Sequence, residues 1–289
     1  MSKFQKIILF LKNLRFIRFA VPGHFYSPLP NIDEIDEFKN FIWQQQGNEL
    51  PSINLNHENQ KLFLEIINKY YSEIQFPSEK ADLRYFFENP AYSYSDGIFL
   101  YTIMREYKPT KIIEVGSGYS SCLMIDMNEI YFSNKIEITL IEPYPKLLKS
   151  LIKETDSPNI IPNILQRVPL NTFKNLDEND ILFIDSTHVS KINSDVNYII
   201  HNILPILKKG VLIHIHDIFY PFEYPIEWTY GGRAWNEIYI LRAFLQYNDS
   251  FEIVAFNTYI QQLNEEEVFG RFPLLKNNTG GSIWLRKTK

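Results

Sequence analysis

The sequence predicts a doubly wound α/β domain, with a seven-stranded and mainly parallel sheet, preceded by a helical extension. Two observations carry this. From Pro109 onward, short apolar runs alternate with amphipathic stretches. Strands alternating with helices in this way imply a parallel sheet covered on both faces. The first run ends in a glycine-rich turn at the head of a helix.

The first twenty residues mix apolar side chains with Lys3, Lys6, Lys12, Arg15 and Arg18. No apolar run there is long enough to cross a bilayer, and no small-residue cleavage site follows. A basic amphipathic helix fits two settings: docking on its own domain, the commoner one, or peripheral contact with a membrane. Its apolar stripe over residues 4–19 also offers a homodimer contact. Residues 21–56, rich in Pro, Asn and acids, predict an irregular arm. A helix follows Asn56, with Leu62, Phe63, Ile66, Ile67 and Tyr70 at helical spacing, and stops by Pro77. A second follows Asp96. These make a helical arm over residues 1–105. The α/β domain then spans 106–289, with strands at 111–115, 137–142, 159–165, 180–185, 211–217, 251–256 and 282–286. Helices are expected at 120–130, 144–153, 192–207 and 234–247.

Composition narrows the function classes. The 289 residues suffice for one large domain and an extension. A net charge of -5 argues against a dedicated nucleic-acid binder, which carries a basic domain. The one cysteine, Cys122, excludes a disulfide framework and a Cys-based zinc site, and predicts a cytoplasmic setting.

In an open parallel sheet, ligands bind at the carboxyl ends of the strands, beside the first strand. That strand ends in Glu114-Val115-Gly116-Ser117-Gly118-Tyr119-Ser120-Ser121. The glycines let a ligand lie against bare backbone, and the next helix offers free N–H groups. A dinucleotide fingerprint would place a third glycine at position 121, where Ser121 stands. A carboxylate at Glu114 would repel a pyrophosphate and suit a cation, such as the amino group of an amino-acid moiety. The second strand ends in Glu142-Pro143, where an acid can accept both hydroxyls of a ribose. The loop and Glu142 together favour a nucleoside ligand.

These residues resemble motif I and the second motif of class I S-adenosylmethionine-dependent methyltransferases, with Ser120 where that motif usually has its third glycine. The resemblance covers the whole α/β part and implies that family's Rossmann-like plan of seven strands with one reversed. It implies S-adenosylmethionine as cofactor, held by Glu114, Gly116, Ser117, Gly118, Tyr119, Ser120, Glu142, Pro143 and Asp185. It also implies that Gln166-Arg167-Val168 flanks the adenine.

The fourth strand ends in Asp185-Ser186-Thr187-His188 and the fifth in His214-Ile215-His216-Asp217. Both ends lie on the edge that carries the glycine loop. A hydroxyl acceptor must lose a proton as it attacks the methyl group, and a neutral imidazole suits that task. His188 is the expected base, with Asp185 and His216 as catalytic partners. The same edge offers Asp185, Asp217 and His216 as ligands for a divalent ion such as Mg2+. His214 is expected to be a satisfied core residue, and Asp195 a helix-face residue.

The segment 218–235 is long for a strand-to-helix connection and carries Phe219, Tyr220, Phe222, Tyr224, Trp228, Tyr230 and Trp235. With Glu223 and Arg233 it could grip a sugar or an aromatic acceptor, or simply cover the sheet edge. His24, Tyr26 and residues 89–96 are further candidates to cover the site. Together, DILFIDSTHVSKINSDVNYI, LKKGVLIHIHDIFYPFEYP and GHFYSPLP resemble a bacterial group of class I methyltransferases without assigned substrates. That resemblance implies a small-molecule or glycan acceptor, in surface-polysaccharide or natural-product chemistry. The leading expectation is therefore O-methylation. The alternatives are a non-catalytic glycan- or ligand-binding module and a nicotinamide-dependent oxidoreductase; Ser121 and Glu114 speak against the latter.

Overall fold

The structure, a computed structural model, describes residues 2–44 and 50–289. Of these, 2–44 and 225–234 form one compact unit, and 50–224 with 235–289 form the other. No helix among the described residues is long and apolar enough to cross a membrane.

The first unit holds three helices. Helix α1 (Lys3–Asn13) starts on a capping box: the Ser2 hydroxyl accepts the Gln5 N–H, and the Gln5 side chain accepts the Ser2 N–H. A 3-10 turn over Leu14–Ile17 continues it. Helix α2 (Ile32–Trp43) is capped by Asn31, with Asp33 and Glu34 in its first turn, where the helix dipole favours acids. The later segment gives this unit its third helix (Ile226–Tyr230), whose Tyr230 hydroxyl donates to Asp36.

The second unit contains the sheet. In chain order it runs α3 (His57–Tyr71), α4 (Tyr94–Tyr107), β1 (Lys111–Val115), α5 (Tyr119–Phe132), β2 (Glu137–Ile141), α6 (Lys146–Leu151), β3 (Asn159–Ile161), α7 (Asn171–Lys174), β4 (Ile181–Ile184), α8 (Asp195–Tyr198) and β5 (Leu212–His216). With Ile226–Tyr230 counted as α9, there follow α10 (Glu237–Leu245), β6 (Phe251–Phe256), α11 (Asn257–Leu263), α12 (Glu265–Arg271) and β7 (Ser282–Lys287). The strand order is β3-β2-β1-β4-β5-β7-β6. β1 to β5 run parallel, and β7 is antiparallel to both β5 and β6. All seven expected strands form. The order reverses between β1 and β4, which opens the crevice at their carboxyl ends.

Three expectations need correction. The boundary at 105/106 does not divide the compact units. α4 is buried over Tyr94–Met104, and Phe63, Ile67 and Phe99 share one core with Ile112, Phe183 and Trp284 of the sheet. A helix buried on all sides is part of a core rather than of an arm. The third strand stops at Ile161, because Pro162 has no N–H for the ladder. The helix expected over 192–207 is broken into α8, a π turn (Ile199–Ile203) and a 3-10 turn (Leu204–Ile206) that contains Pro205.

Buried Arg84 donates to Asp126 at 2.6 Å and to Glu129 at 2.8 Å, and also binds Asp156. The Tyr85 N–H adds a bond to Asp126 at 2.8 Å. This fixes the α3–α4 connection to α5.

Candidate active site

The glycine loop and the end of β4 are locked together. Gly116 has φ +94, and a Cβ there would overlap the Asp185 carbonyl. The Gly116 N–H donates to Ile141 at 3.0 Å, and the Asp185 N–H to Val115 at 2.9 Å. Three strand ends thereby frame a cavity of about 370 Å³. Gly116, Glu142, Pro143, Gln166, Asp185 and Ser186 line it. Glu142 accepts the Tyr144 N–H at 2.7 Å, which orients its carboxylate. Gln166 donates to the Asn193 carbonyl at 2.7 Å. Arg167 and Val168 are not among the lining residues.

Glu114 departs from its expected role. It is fully buried, and its carboxyl accepts from the hydroxyls of Ser120 and Ser121. Ser121 in turn accepts the Gly118 N–H at 3.1 Å. Burial, helped by the charges of Asp185 and Glu142, pushes the Glu114 carboxyl up to about 8 against the pull of the two hydroxyls. Glu114 therefore braces the turn from behind, as do Ser120 and Ser121. It does not face the cavity as a carboxylate awaiting an amino group. Tyr119 packs edge-on against Phe86 at 5.7 Å and is not among the lining residues.

Two polar atoms at this place lack a partner. The hydroxyls of Ser117 and Ser186 are buried and make no hydrogen bond. Such orphans are rare unless a ligand completes them. Bare backbone at Gly116, an oriented acid at Glu142 and two unpartnered hydroxyls fit an adenosyl amino acid.

Beside the cavity stands His188, buried among three carboxylates. Its Nδ1 lies 2.9 Å from Glu237, and its Nε2 lies 3.4 Å from both Asp185 and Asp217. Burial alone would lower its pKa, but Asp185, Glu237 and Asp217 outweigh it and hold the ring at about 10. His188 is thus an imidazolium at neutral pH, bonded through Nδ1 to Glu237 and within ion-pair distance of Asp185 and Asp217 through Nε2, and not the neutral base that was expected. Asp185, against the effect of burial, is held below the usual carboxylate range by His216 and His188. Asp217 and Glu237 are raised by burial, against the pull of the imidazoles. His188 and Asp217 have φ of 58 and 56. A non-glycine residue in the left-handed region costs about 1 kcal/mol, and such positions gather at functional sites.

His216 lies 3.7 Å from Asp217. Burial lowers its pKa, but Asp185, Asp217 and Asp96 turn the net shift upward. Tyr92, from the 89–96 segment, sits against it with ring centroids 5.3 Å apart. His214 is a core residue, stacked 3.9 Å from Phe183. It is not a satisfied one, since neither of its ring nitrogens has a hydrogen-bond partner. Burial and the neighbouring His216 hold it neutral.

The metal expectation finds no support in the geometry. Among the described residues no group of three or more His, Cys, Asp and Glu could hold a metal ion. Asp185 and Asp217 are each taken up by an ion pair with Nε2 of His188, at 3.4 Å.

The 218–235 segment is divided. Phe222 and Tyr224 are buried, and Glu223 accepts from the Tyr239 hydroxyl. Residues 225–234 belong to the other unit, where Arg233 lies over Trp228 at 4.6 Å. Trp235, one of the expected rings, meets His188 at 4.5 Å. His24 stacks on Phe25 at 4.2 Å within its own unit. Asp195 does more than face solvent: it accepts the Thr187 N–H at 3.1 Å and the Thr187 hydroxyl at 2.6 Å. Sequence reasoning missed Glu237. Its signal was a lone acid at the start of a helix, indistinguishable from an ordinary helix-dipole acid.

Residues 113–218 match the family model described as a methyltransferase domain. An uncharacterized protein of Archaeoglobus fulgidus is 37% identical over 165 residues, which cover 55% of this chain and 75% of that one. Among solved structures, the S-adenosylhomocysteine-bound methyltransferase PaMTH1 of Podospora anserina is 17% identical, with 91% of this chain and 99% of that one covered and a TM-score of 0.42. The plantazolicin methyltransferase BpumL, also with S-adenosylhomocysteine, is 12% identical, with 99% and 98% covered and a TM-score of 0.40.

Proposed function

Since the chain belongs to the class I S-adenosylmethionine-dependent methyltransferases, we propose that it methylates a hydroxyl oxygen of a small acceptor, with a sugar as the favoured class. The observation that carries this is the adjacency of two features. The cavity at the ends of β1, β2 and β4 fits the cofactor, and the His188 cluster fits an acceptor that must shed a proton.

When bound, the cofactor supplies a methyl group on a positively charged sulfur. Glu142 would accept the ribose hydroxyls, and Gly116, Ser117 and Ser186 would border the rest. The acceptor hydroxyl would lie beside Asp185 and Asp217. Asp217 is the better proton acceptor of the two, because burial raises its carboxyl while Asp185 is held low. The His188 imidazolium, fixed by Glu237, would donate to both carboxylates and set their spacing. Trp235 would wall the acceptor side. Much of the rate would come from holding oxygen and methyl in line.

The test has two arms. Calorimetric titration with S-adenosylhomocysteine, with NAD as control, should give micromolar binding of the first alone. Release of S-adenosylhomocysteine should then be assayed over a panel of free sugars, phenols and amines. Turnover on hydroxyl acceptors supports the reading. Turnover on amines alone would refute O-methylation, and tight binding with no turnover on any acceptor would point to a non-catalytic module.

A further inference from the structure

We propose that the N-terminal segment over residues 3–26 is a peripheral binding surface for a bilayer of anionic lipids. Helix α1 has no buried side chain. Its Phe4, Ile7, Ile8 and Leu11 follow the spacing of one helical face, and all four are exposed. The apolar character continues beyond the helix: Phe16 is 70% exposed, Phe19 81% and Phe25 79%. Rings of Phe19, His24, Phe25 and Tyr26 cluster at 4.2 to 5.8 Å. Water-facing aromatic groups of this kind are unfavourable in solution and suit the boundary between headgroups and acyl chains.

Charge selects the partner. Lys3, Lys6, Lys12, Arg15 and Arg18 lie in this segment, and the first acid is Asp33. On α1, Lys3 flanks one side of the apolar face and Lys12 the other, while Lys6 lies on the far side between the exposed Leu9 and Phe10. Cations beside exposed apolar groups match an anionic bilayer: the rings and aliphatic chains enter the interface, and the lysines and arginines meet phosphate headgroups. A second copy of the same segment would bring the cations together, which disfavours self-association as the means of covering this face. The helix is far shorter than a spanning segment, so it would lie in the interface plane. The proposal does not depend on the acceptor or on the methyl-transfer reading.

The experiment is flotation of the full-length protein with phosphatidylcholine vesicles, with and without phosphatidylglycerol, at low and high salt. The comparison variants are the charge reversal Lys6→Glu/Lys12→Glu/Arg15→Glu and the apolar change Phe4→Ser/Leu11→Ser. Binding is expected to anionic vesicles only, to weaken with salt, and to fall at least about tenfold in either variant. S-adenosylhomocysteine affinity and melting temperature, measured alongside, should stay at wild-type values in both. Absence of binding to anionic vesicles by protein with normal melting would overturn the proposal. Equal, salt-independent binding to neutral vesicles would overturn the assignment to anionic lipid. Sedimentation velocity showing a dimer that both variants dissolve would give the face to a second copy instead.

Discussion

Replacing Glu114 by glutamine separates two descriptions of the site. If the side chain were an ionised ligand for the amino group of the cofactor, the amide would remove a charge-assisted bond of about 1.5–3 kcal/mol, and affinity would fall about 10- to 100-fold. In the structure Glu114 is fully buried, held by Ser120 and Ser121, and titrates at about 8. At pH 7 it is mostly neutral, and glutamine copies its shape. S-Adenosylhomocysteine affinity should then change by no more than about twofold. The pH dependence of stability is the second reading. A carboxyl whose pKa is raised on folding stabilises the protein fully below its unfolded value near 4.5, and this contribution is lost as pH rises through about 8. The loss is about 3 kcal/mol by pH 7 and approaches about 5 kcal/mol above pH 8. Glu114→Gln removes that dependence. The melting temperature of the variant relative to wild type should therefore climb on the order of 10 °C between pH 5 and pH 9. Scanning fluorimetry across that range, with calorimetry at pH 7, decides the matter. Parallel melting curves, or a tenfold loss of affinity in a folded variant, would refute the buried-brace account.

Gly116→Ala should weaken S-adenosylhomocysteine binding by about 100-fold or more, because a side chain at φ +94 meets the Asp185 carbonyl and displaces β4 from the loop; calorimetry giving wild-type affinity would contradict this. Glu237→Gln should drop the His188 pKa from about 10 toward its ordinary value, since the carboxylate on Nδ1 is removed. An NMR titration of the ring reads it directly, and an unshifted curve would count against the caged imidazolium. In the wild type, the stabilisation from charged His188 is complete below about pH 6.5 and is lost as pH rises through about 10. Arg84→Met should destabilise the fold by about 3–5 kcal/mol, because it strands the buried carboxyl of Asp126; chemical denaturation checks it, and a change under about 1 kcal/mol would mean that the ion network contributes little.

The sheet was legible because its strands are buried on both faces, which leaves a plain apolar signature at KIIEV, ILFI and LIHIH. The cavity was legible in part for a related reason. A glycine loop and a strand-end acid have fixed places in this topology, and Gly116, Glu142 and Asp185 fall on the same wall. What sequence does not show is the direction of a side chain near a strand end. Glu114 turns into the core because two hydroxyls from the first turn of α5 reach it there. Ionisation states were hidden too. His188 reads as a neutral base until Glu237, 49 residues further along, is seen on its Nδ1. The core role of α4 was masked by its sequence: Tyr94, Ser95, Asp96 and Thr102 look like surface residues, yet all are buried. Their polar groups find partners, as when Asp96 accepts from Ser282, Asn257 and the Gly281 N–H.

The charge balance of the site leads to a last prediction. Asp185, Asp217 and Glu237 surround His188, and the charge of Asp96 acts on His216. Four acids face two imidazoles, and three of the acids, Asp96, Asp217 and Glu237, have carboxyls raised by burial. Groups this close titrate as a unit rather than one by one. A cation brought close favours the ionised carboxylates and drives protons off, whereas a neutral ligand of the same shape does not. S-Adenosylmethionine carries a positive sulfur that S-adenosylhomocysteine lacks. Binding of the former should release more protons than binding of the latter, by a fraction of a proton or more. Calorimetry in buffers of differing ionisation enthalpy measures both numbers. Equal proton release for the two ligands would mean that the positive sulfur is not felt by the cluster, and the acceptor oxygen would have to be sought away from Asp217.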